Sequence, residues 1–260
     1  MATTTAQNGN QPDRAKEADN NLVFSYLTLR NLIGFSGLLL PVLVAIYPSR
    51  PSAYHNFEPS ISDYFYTDRG DILVVTLCII GVFLFTYKGY TWIERGLTLL
   101  AGVAGIGVAF VPTKQVCLPC TLSVHTNSGG VIGPMAGENT HFIFAATFLG
   151  CLAIMSLVYF PKTSATSTKK NGKLTQKAKR NRVYKICGWI MVASLAVLGV
   201  YFIFYKKIDL GAFPIVYVFE TIAVEAFAVS WLTKGETLWP DGQHYMVKAY
   251  LDTRDAMRKK

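Results

Sequence analysis

The sequence is poor in charged residues. Aspartate, glutamate, lysine and arginine make up only 16% of its 260 residues, and hydrophobic residues make up 51%. Soluble domains carry about 25% charged residues, so the composition excludes an ordinary soluble domain. The first twenty residues contain no apolar stretch, which excludes a cleaved signal peptide and predicts a disordered tail. The net charge of +9 comes with no nucleic-acid motif. We therefore predict membrane lipids as partners and no nucleic acid.

Six apolar segments predict an all-α fold, a polytopic six-helix transmembrane bundle. They cover roughly 31–47, 71–88, 96–112, 141–160, 184–205 and 213–232. The length of each segment is close to that of a helix that crosses the hydrocarbon core, about 20 residues. The predicted transmembrane domain is 30–235, between an N-terminal tail, 1–29, and a C-terminal tail, 236–260. The second tail fits either an amphipathic helix on the membrane surface or a solvated segment.

The distribution of lysine and arginine predicts the orientation. Segment 161–183 holds eight of these residues and no acid, and the positive-inside rule therefore places it in the cytoplasm. Counting spans from it puts both termini in the cytoplasm and places 48–70, 113–140 and 206–212 outside. We predict a multi-pass protein of the cell membrane.

Two glutamates, Glu220 and Glu225, lie inside the last apolar segment. A charged side chain near the middle of a bilayer costs about 2.5–3.5 kcal/mol on insertion scales. On a helix the two residues differ by about 140° in direction and about 7.5 Å in height. Each glutamate therefore requires its own polar partner or a protonated carboxyl group.

The outer loop before the second span is dense in hydroxyl and carboxyl groups. We interpret Ser62 and Asp63 as a hydrogen-bonding pair that faces a pocket, with His141 nearby at the start of the fourth span. The structural alternative treats the loop tyrosines as an interfacial belt and His141 as a hydrogen-bonded interface residue. The candidate catalytic residues are His141, Asp63, Ser62, Glu220 and Glu225.

Cys117 and Cys120 form a CLPC motif in the longest outer loop. A disulfide is the leading interpretation on the oxidising side of a membrane, and a free pair is the alternative. Zinc bound by Cys117, Cys120, His125 and His141 is a minor option. Thr121 follows the second cysteine where haem attachment requires histidine. We therefore predict no metal site, and the sequence leaves any cofactor unknown.

Four stretches together resemble an uncharacterised bacterial family of six-helix integral membrane proteins. They are SISDYFYTDRGD, LAGVAGIGVAFVPT, HFIFAATF and ETIAVEAFAVSWLTKGE. More remotely, they resemble DRAM-like and GPI-lipid-remodelling membrane proteins. The resemblance covers about 30–235 and implies a six-helix fold more than an activity. It also implies that Ser62, Asp63, His141, Glu220, Glu225 and Trp231 are family positions.

These observations leave three hypotheses for function. The first is binding or modification of lipid headgroups at the outer leaflet, with a lipid or small molecule as ligand. The second is a proton- or cation-coupled transporter of small solutes, since carboxyl groups inside a membrane mark ion pathways. The third is a non-catalytic scaffold or sensor in which the two glutamates link helices. The sequence does not decide between an enzyme and the other two, and the oligomeric state is open.

Overall fold

The computed structural model describes most of the predicted bundle. The described residues are 21–46, 58–67, 69–87, 89, 91–113, 139–161, 169–170, 173–174, 176–204, 213–235 and 237–238, with side chains in the first range from residue 28. The predictions for Cys117, Cys120 and His125 and for both ends of the chain, 1–20 and 239–260, lie outside these residues.

Within the described ranges the chain forms six α-helices, which confirms the predicted all-α six-helix bundle. They are α1 (Asn21–Ile46), α2 (Gly70–Thr86), α3 (Trp92–Phe110), α4 (Asn139–Ile154), α5 (Gln176–Phe204) and α6 (Ile215–Lys234). A π-helical turn, Met155–Tyr159, continues α4, and a short 3-10 helix, Ser62–Tyr66, precedes α2. Five of these helical segments are long and apolar enough to cross a membrane, and α2 is a shorter apolar helix.

Two helices begin earlier than the hydropathy pattern indicates. Helix α1 begins at Asn21, so residues 21–29 are helical rather than part of the predicted disordered tail. Helix α5 begins at Gln176, inside the basic segment 161–183 and before the predicted span 184–205. Its 29 residues span about 43 Å, which exceeds the about 30 Å of the hydrocarbon core. Hydropathy marks where an apolar run begins, whereas backbone hydrogen bonding extends the helix into polar sequence.

The basic segment also contains the described strands. Lys169–Lys170 (β1) pairs antiparallel with Lys173–Leu174 (β2) in a two-residue ladder. So short a hairpin contributes no layer to the fold, which remains a helical bundle.

The six helices form a closed ring. Each packs against its neighbour in the chain, and α6 packs against α1. Large apolar side chains point away from the ring, among them Trp92, Ile143, Trp189 and Ile203. So many exposed apolar side chains require a non-aqueous surround. The chain is therefore a multi-pass membrane protein.

Small residues bring α2, α3 and α4 close together. Ala101, Gly105 and Ala109 of α3 are buried, and their four-residue spacing is typical of a face where two helices pack closely. A Cβ atom on Gly102 would lie 2.8 Å from the carbonyl oxygen of Gly81 in α2, and one on Gly105 would lie 3.0 Å from the ring of Phe148 in α4. Larger side chains at these positions would separate the helices.

The ring has two ends, which we name after one buried residue at each. At the His141 end, α1, α3 and α5 finish and α2, α4 and α6 begin. At the Glu94 end the directions are reversed, and the basic segment before α5 lies there. If the predicted orientation holds, the His141 end is the outer end.

Candidate functional site

The segment 58–67 contacts helix ends at the His141 end. It enters the short 3-10 helix at Ser62, and its preceding residues pair with the first turn of α6. The backbone N–H of Tyr217 donates to the carbonyl oxygen of Pro59 at 2.9 Å. The first N–H groups of a helix have no partner within that helix. Here the loop supplies an acceptor, the carbonyl oxygen of Pro59, and this bond fixes the position of the loop over α6.

Ser62 and His141 form a buried hydrogen-bonded pair. The distance from His141 Nε2 to Ser62 Oγ is 3.0 Å, and the two residues are 3% and 7% exposed, respectively. On the other side of the imidazole, His141 Nδ1 lies 2.6 Å from the carbonyl oxygen of Val111. A carbonyl oxygen only accepts, so Nδ1 carries a hydrogen. In the neutral ring Nε2 is then the acceptor, and the Ser62 hydroxyl donates to it.

The end of α3 fixes this arrangement. Val111 follows the last residue of α3, and its N–H donates to the carbonyl oxygen of Gly107. Its own carbonyl is one of the terminal acceptors that a helix leaves without an internal partner. His141, in the first turn of α4, satisfies it. The helix ends thus set the imidazole tautomer and aim Nε2 at Ser62.

Glu220 holds the same loop from α6. Its Oε2 atom accepts the backbone N–H of Ile61 at 2.7 Å, and the N–H of Ser62 also faces this carboxyl group. Both amides open the short 3-10 helix, where N–H groups lack internal acceptors. This confirms that Glu220 has a polar partner toward the end of the bundle. The partner is backbone, which no side-chain pattern indicates.

Asp63 bonds to the end of α3 rather than to Ser62. Its Oδ1 atom accepts the hydroxyl of Thr113 at 2.8 Å, and its backbone N–H donates to Ser60 Oγ at 3.0 Å. The Tyr66 hydroxyl donates to the Thr113 carbonyl oxygen at 2.5 Å. The expected Ser62–Asp63 side-chain pair is therefore replaced by Ser62–His141, because the 3-10 turn directs Asp63 toward α3.

Burial and charge modify the titration of the loop side chains. Burial, with the nearby Asp63 carboxylate, raises the pKa of Glu58, and the Arg69 guanidinium opposes the increase. The same two causes raise the pKa of Tyr66. Arg69 also lies over the ring of Tyr64, with 5.5 Å from the guanidinium carbon to the ring centroid. The loop is thus a compact polar layer with both charge signs.

Glu225 lies outside this cluster. It is partly buried on α6, five residues beyond Glu220, and no hydrogen bond to its carboxyl group is found within the described part of the chain. The structure therefore brings together Ser62, His141 and Glu220, with Asp63 beside them, and leaves the fifth candidate apart.

Trp231, the remaining residue to which the resemblance points, lies at the Glu94 end. It is 1% exposed, and its ring centroid lies 5.5 Å from that of Tyr87 and 5.3 Å from that of Phe160. Glu94, 2% exposed, accepts the hydroxyl of Tyr87 at 3.2 Å. Sequence reasoning missed this second polar cluster. The available signal was the pair Thr91 and Glu94, which has the spacing of a capping box; the Thr91 hydroxyl accepts the N–H of Glu94 at 3.2 Å.

Among the described residues, no group of three or more histidine, cysteine, aspartate or glutamate side chains has metal-binding geometry. Comparisons with family models, with curated proteins and with solved structures found no match to this chain. The site therefore has to be interpreted from its own geometry, and the resemblance noted from the sequence remains a prediction.

Proposed function

We propose that this multi-pass membrane protein modifies lipids of the cell membrane at its outer leaflet, with Ser62 as nucleophile and His141 as general base. The observation that carries the proposal is the orientation of the imidazole. Because Val111 fixes the hydrogen on Nδ1, the neutral ring presents an acceptor to Ser62 Oγ at 3.0 Å. An oriented base within hydrogen-bonding distance of a hydroxyl is the requirement for an activated serine.

The reaction that fits this pair is acyl transfer from a lipid ester. Ser62 Oγ would attack the ester carbonyl carbon while its proton moves to His141 Nε2. That proton would then pass to the departing alcohol oxygen, which leaves an acyl group on Ser62. Water or another alcohol would release the acyl group with the reverse proton movements. The backbone carbonyl of Val111 would orient the imidazole, the role that a carboxylate performs in a triad.

The location of the pair favours a lipid substrate. Ser62 lies at the end of the apolar ring, where the ester groups of a bilayer lie between headgroup and hydrocarbon. The exposed apolar side chains that surround the ring would let a lipid approach laterally. Glu220 and Asp63 support the site by holding the loop, through Ile61 and Thr113, respectively. We assign them positioning roles.

The described contacts support the transporter hypothesis less well than they support acyl transfer. Glu220 is engaged by loop backbone at one end of the bundle rather than by a partner near its centre. A scaffold or sensor is the competing proposal, because the same hydrogen bonds that orient His141 also attach the loop. The two proposals differ in whether Ser62 is chemically reactive.

A fluorophosphonate probe, which reacts with activated serines, tests the proposal directly. The full-length protein in native-like lipid is expected to become labelled, and labelling should be lost in Ser62→Ala and reduced at least about a hundredfold in His141→Gln, within the range of general-base catalysis. Ser60→Ala is the matched control, because Ser60 is a buried serine of the same loop that bonds to Asp63 instead.

Labelling that survives Ser62→Ala would refute Ser62 as nucleophile. A well-folded wild-type protein that is never labelled and leaves lipid esters intact would favour the scaffold. Lipid extracts of cells with and without the chain, compared by mass spectrometry, would then identify the substrate.

A further inference from the structure

The proposed nucleophile is enclosed in the described conformation. Ser62 is 7% exposed and His141 is 3% exposed. The covering loop is held by hydrogen bonds to the end of α3, through Asp63, and to the start of α6, through Ile61. A lipid ester therefore reaches Ser62 only if neighbouring groups move. The contacts around His141 indicate which of these groups can do so.

The boundary between α3 and α4 is closed at the His141 end. The carbonyl oxygen of Val111, just after α3, accepts a hydrogen bond from His141 Nδ1. Further into the bundle, a Cβ atom on Gly107 of α3 would lie 2.6 Å from the ring of Phe144 in α4. Helices that approach so closely along small residues leave no passage for an acyl chain between them.

The boundary between α4 and α5 is formed differently at the same end. The ring centroid of Phe142, the residue after His141, lies 5.9 Å from the centroid of the imidazole and 4.7 Å from that of Phe202 in α5. Phe142 and Phe202 are 40% and 37% exposed, so this aromatic pair also faces the lipid. A Cβ atom on Gly199, one turn before Phe202, would meet no atom within 4 Å. The Phe142 ring thus reaches from the imidazole to the lipid-facing surface, beside open space.

The aromatic pair is also the easier part to displace. A phenyl ring that turns about its side-chain torsions breaks no hydrogen bond, whereas lifting the loop would break the bonds of Ile61 and Asp63 to the helices. The level in the bundle is suitable as well. Phe142 lies in the first turn of α4 and Phe202 in the last described turn of α5, so an acyl chain that passes between them would bring its ester group to the level of Ser62.

We propose that the substrate lipid reaches Ser62 laterally, between α4 and α5, with an acyl chain packed against Phe142 and Phe202. The occupant is an acyl chain of a membrane lipid, because both rings are apolar and face the lipid. The inference rests on the proposed acyl transfer, which requires a lipid ester at Ser62. Phe142 and Phe202 touch none of the reacting atoms. Their role is to admit the chain, and they select esters of membrane lipids over esters dissolved in water.

The Ser62→Cys variant measures this path without relying on the reactivity of the serine. The full-length protein in lipid nanodiscs is treated with N-dodecylmaleimide, which partitions into the bilayer, or with N-ethylmaleimide, which is small and water-soluble. Peptide mass spectrometry gives the rate of each reaction at position 62, separately from the other cysteines. Adding Phe202→Ala should raise the N-dodecylmaleimide rate about tenfold, the factor expected from the loss of one aromatic contact, and the N-ethylmaleimide rate by less than about twofold.

Two further substitutions complete the design in the same Ser62→Cys background. Phe35→Ala is the matched control, because Phe35 is 38% exposed on α1, which packs against α2 and α6, and both rates should stay unchanged. Phe202→Trp places a larger ring at the entrance and should slow N-dodecylmaleimide. In the chain that retains Ser62, labelling by a long-chain alkyl fluorophosphonate should depend on Phe202 in the same way.

The outcomes distinguish the entrance from the chemistry. If Phe202→Ala accelerates N-dodecylmaleimide but the fluorophosphonate never labels Ser62, the lateral path is supported and the acyl transfer fails. Equal acceleration of the two maleimides, or an N-dodecylmaleimide rate that Phe202→Ala leaves unchanged, would overturn the lateral path. An acceleration of the same size in Phe35→Ala would overturn it too, because the effect would then not belong to the boundary between α4 and α5.

Discussion

Both ends of the bundle contain buried polar groups among the described residues, but these groups find their partners differently. At the His141 end, side chains from α4 and α6 bond to the loop that covers the helix ends, through Ser62 and Ile61. At the Glu94 end, Tyr87 and Glu94 bond to each other, while Trp231 and Asn31 keep open donors. A loop thus supplies partners for the buried polar groups at one end of the ring, whereas two buried donors at the other end have no acceptor among the described residues.

The loop at the His141 end requires glycine where it meets α2. A Cβ atom on Gly70 would overlap the carbonyl oxygen of Phe65, which is backbone and cannot turn aside. We expect Gly70→Ala to lower the free energy of unfolding by more than about 3 kcal/mol, above the usual cost of overpacking. Gly96→Ala, where no atom lies within 4 Å, is the control and should stabilise. Thermal unfolding in detergent measures both, and equal midpoints would contradict the role assigned to the loop.

The carboxyl groups of α6 provide the second test. Glu220→Ala leaves the N–H of Ile61 without its acceptor, so we expect a loss of about 3 kcal/mol, the upper end for a buried donor left without a partner. Glu225→Ala removes no described hydrogen bond and should cost less. The same unfolding assay compares them. If Glu225→Ala proved the more harmful, the important carboxyl group would lie in the span and transport would gain support.

Substitution of Tyr87 tests how the buried carboxyl group at the Glu94 end is stabilised. Tyr87→Phe removes the donor to the buried Glu94 carboxyl group, and we expect a loss of about 2 kcal/mol. Tyr217→Phe removes a bond of 2.7 Å to the carbonyl oxygen of Pro41 and should cost about 1 kcal/mol, because that acceptor is neutral. Chemical denaturation of the two variants in parallel measures the difference. The reverse order would show that Glu94 has sufficient partners without Tyr87.

The smallest expected effect concerns pH. Burial and Asp63 raise the pKa of Glu58, so the folded protein holds this proton more tightly than the unfolded chain. The stability from Glu58 is therefore present below its ordinary pKa and is lost as the pH rises through the raised value. Glu58→Gln should reduce the change in unfolding midpoint between about pH 4 and pH 7, which span the ordinary carboxyl pKa. Identical pH profiles for variant and wild type would contradict the shift.

The sequence predicts the helices well because apolar runs of membrane length have few alternative structures. It also predicts that Glu220 needs a polar partner, from the cost of a charge in hydrocarbon. It does not identify that partner, because Ile61 lies 159 residues away and contributes only a backbone N–H. The pairing of Ser62 with His141 is missed for a similar reason. It depends on how a five-residue 3-10 turn directs two adjacent side chains.

Glu94 escapes prediction for a different reason. At the start of α3 it resembles an ordinary capping residue, and its burial and its hydrogen bond from Tyr87 form only in the folded bundle. Trp231, in contrast, is indicated as a candidate only by the resemblance. Neither position reveals from local sequence that its polar atoms are enclosed, since burial is set by helices distant in the chain.

The first helix depends on residues made long after it. Pro41 interrupts the hydrogen bonding of α1, and its carbonyl oxygen accepts from Tyr217 of the last helix. Arg69 reaches back to the carbonyl oxygens of Val44 and Ala45 at the end of α1, at 2.8 and 3.2 Å. During synthesis, α1 would therefore enter the bilayer before the side chains that donate to its carbonyl oxygens are made, and it would gain its last partner only when the final span arrives. A chain truncated before α6 should accordingly be recognised by cellular quality control through its first helix as well as its missing last one.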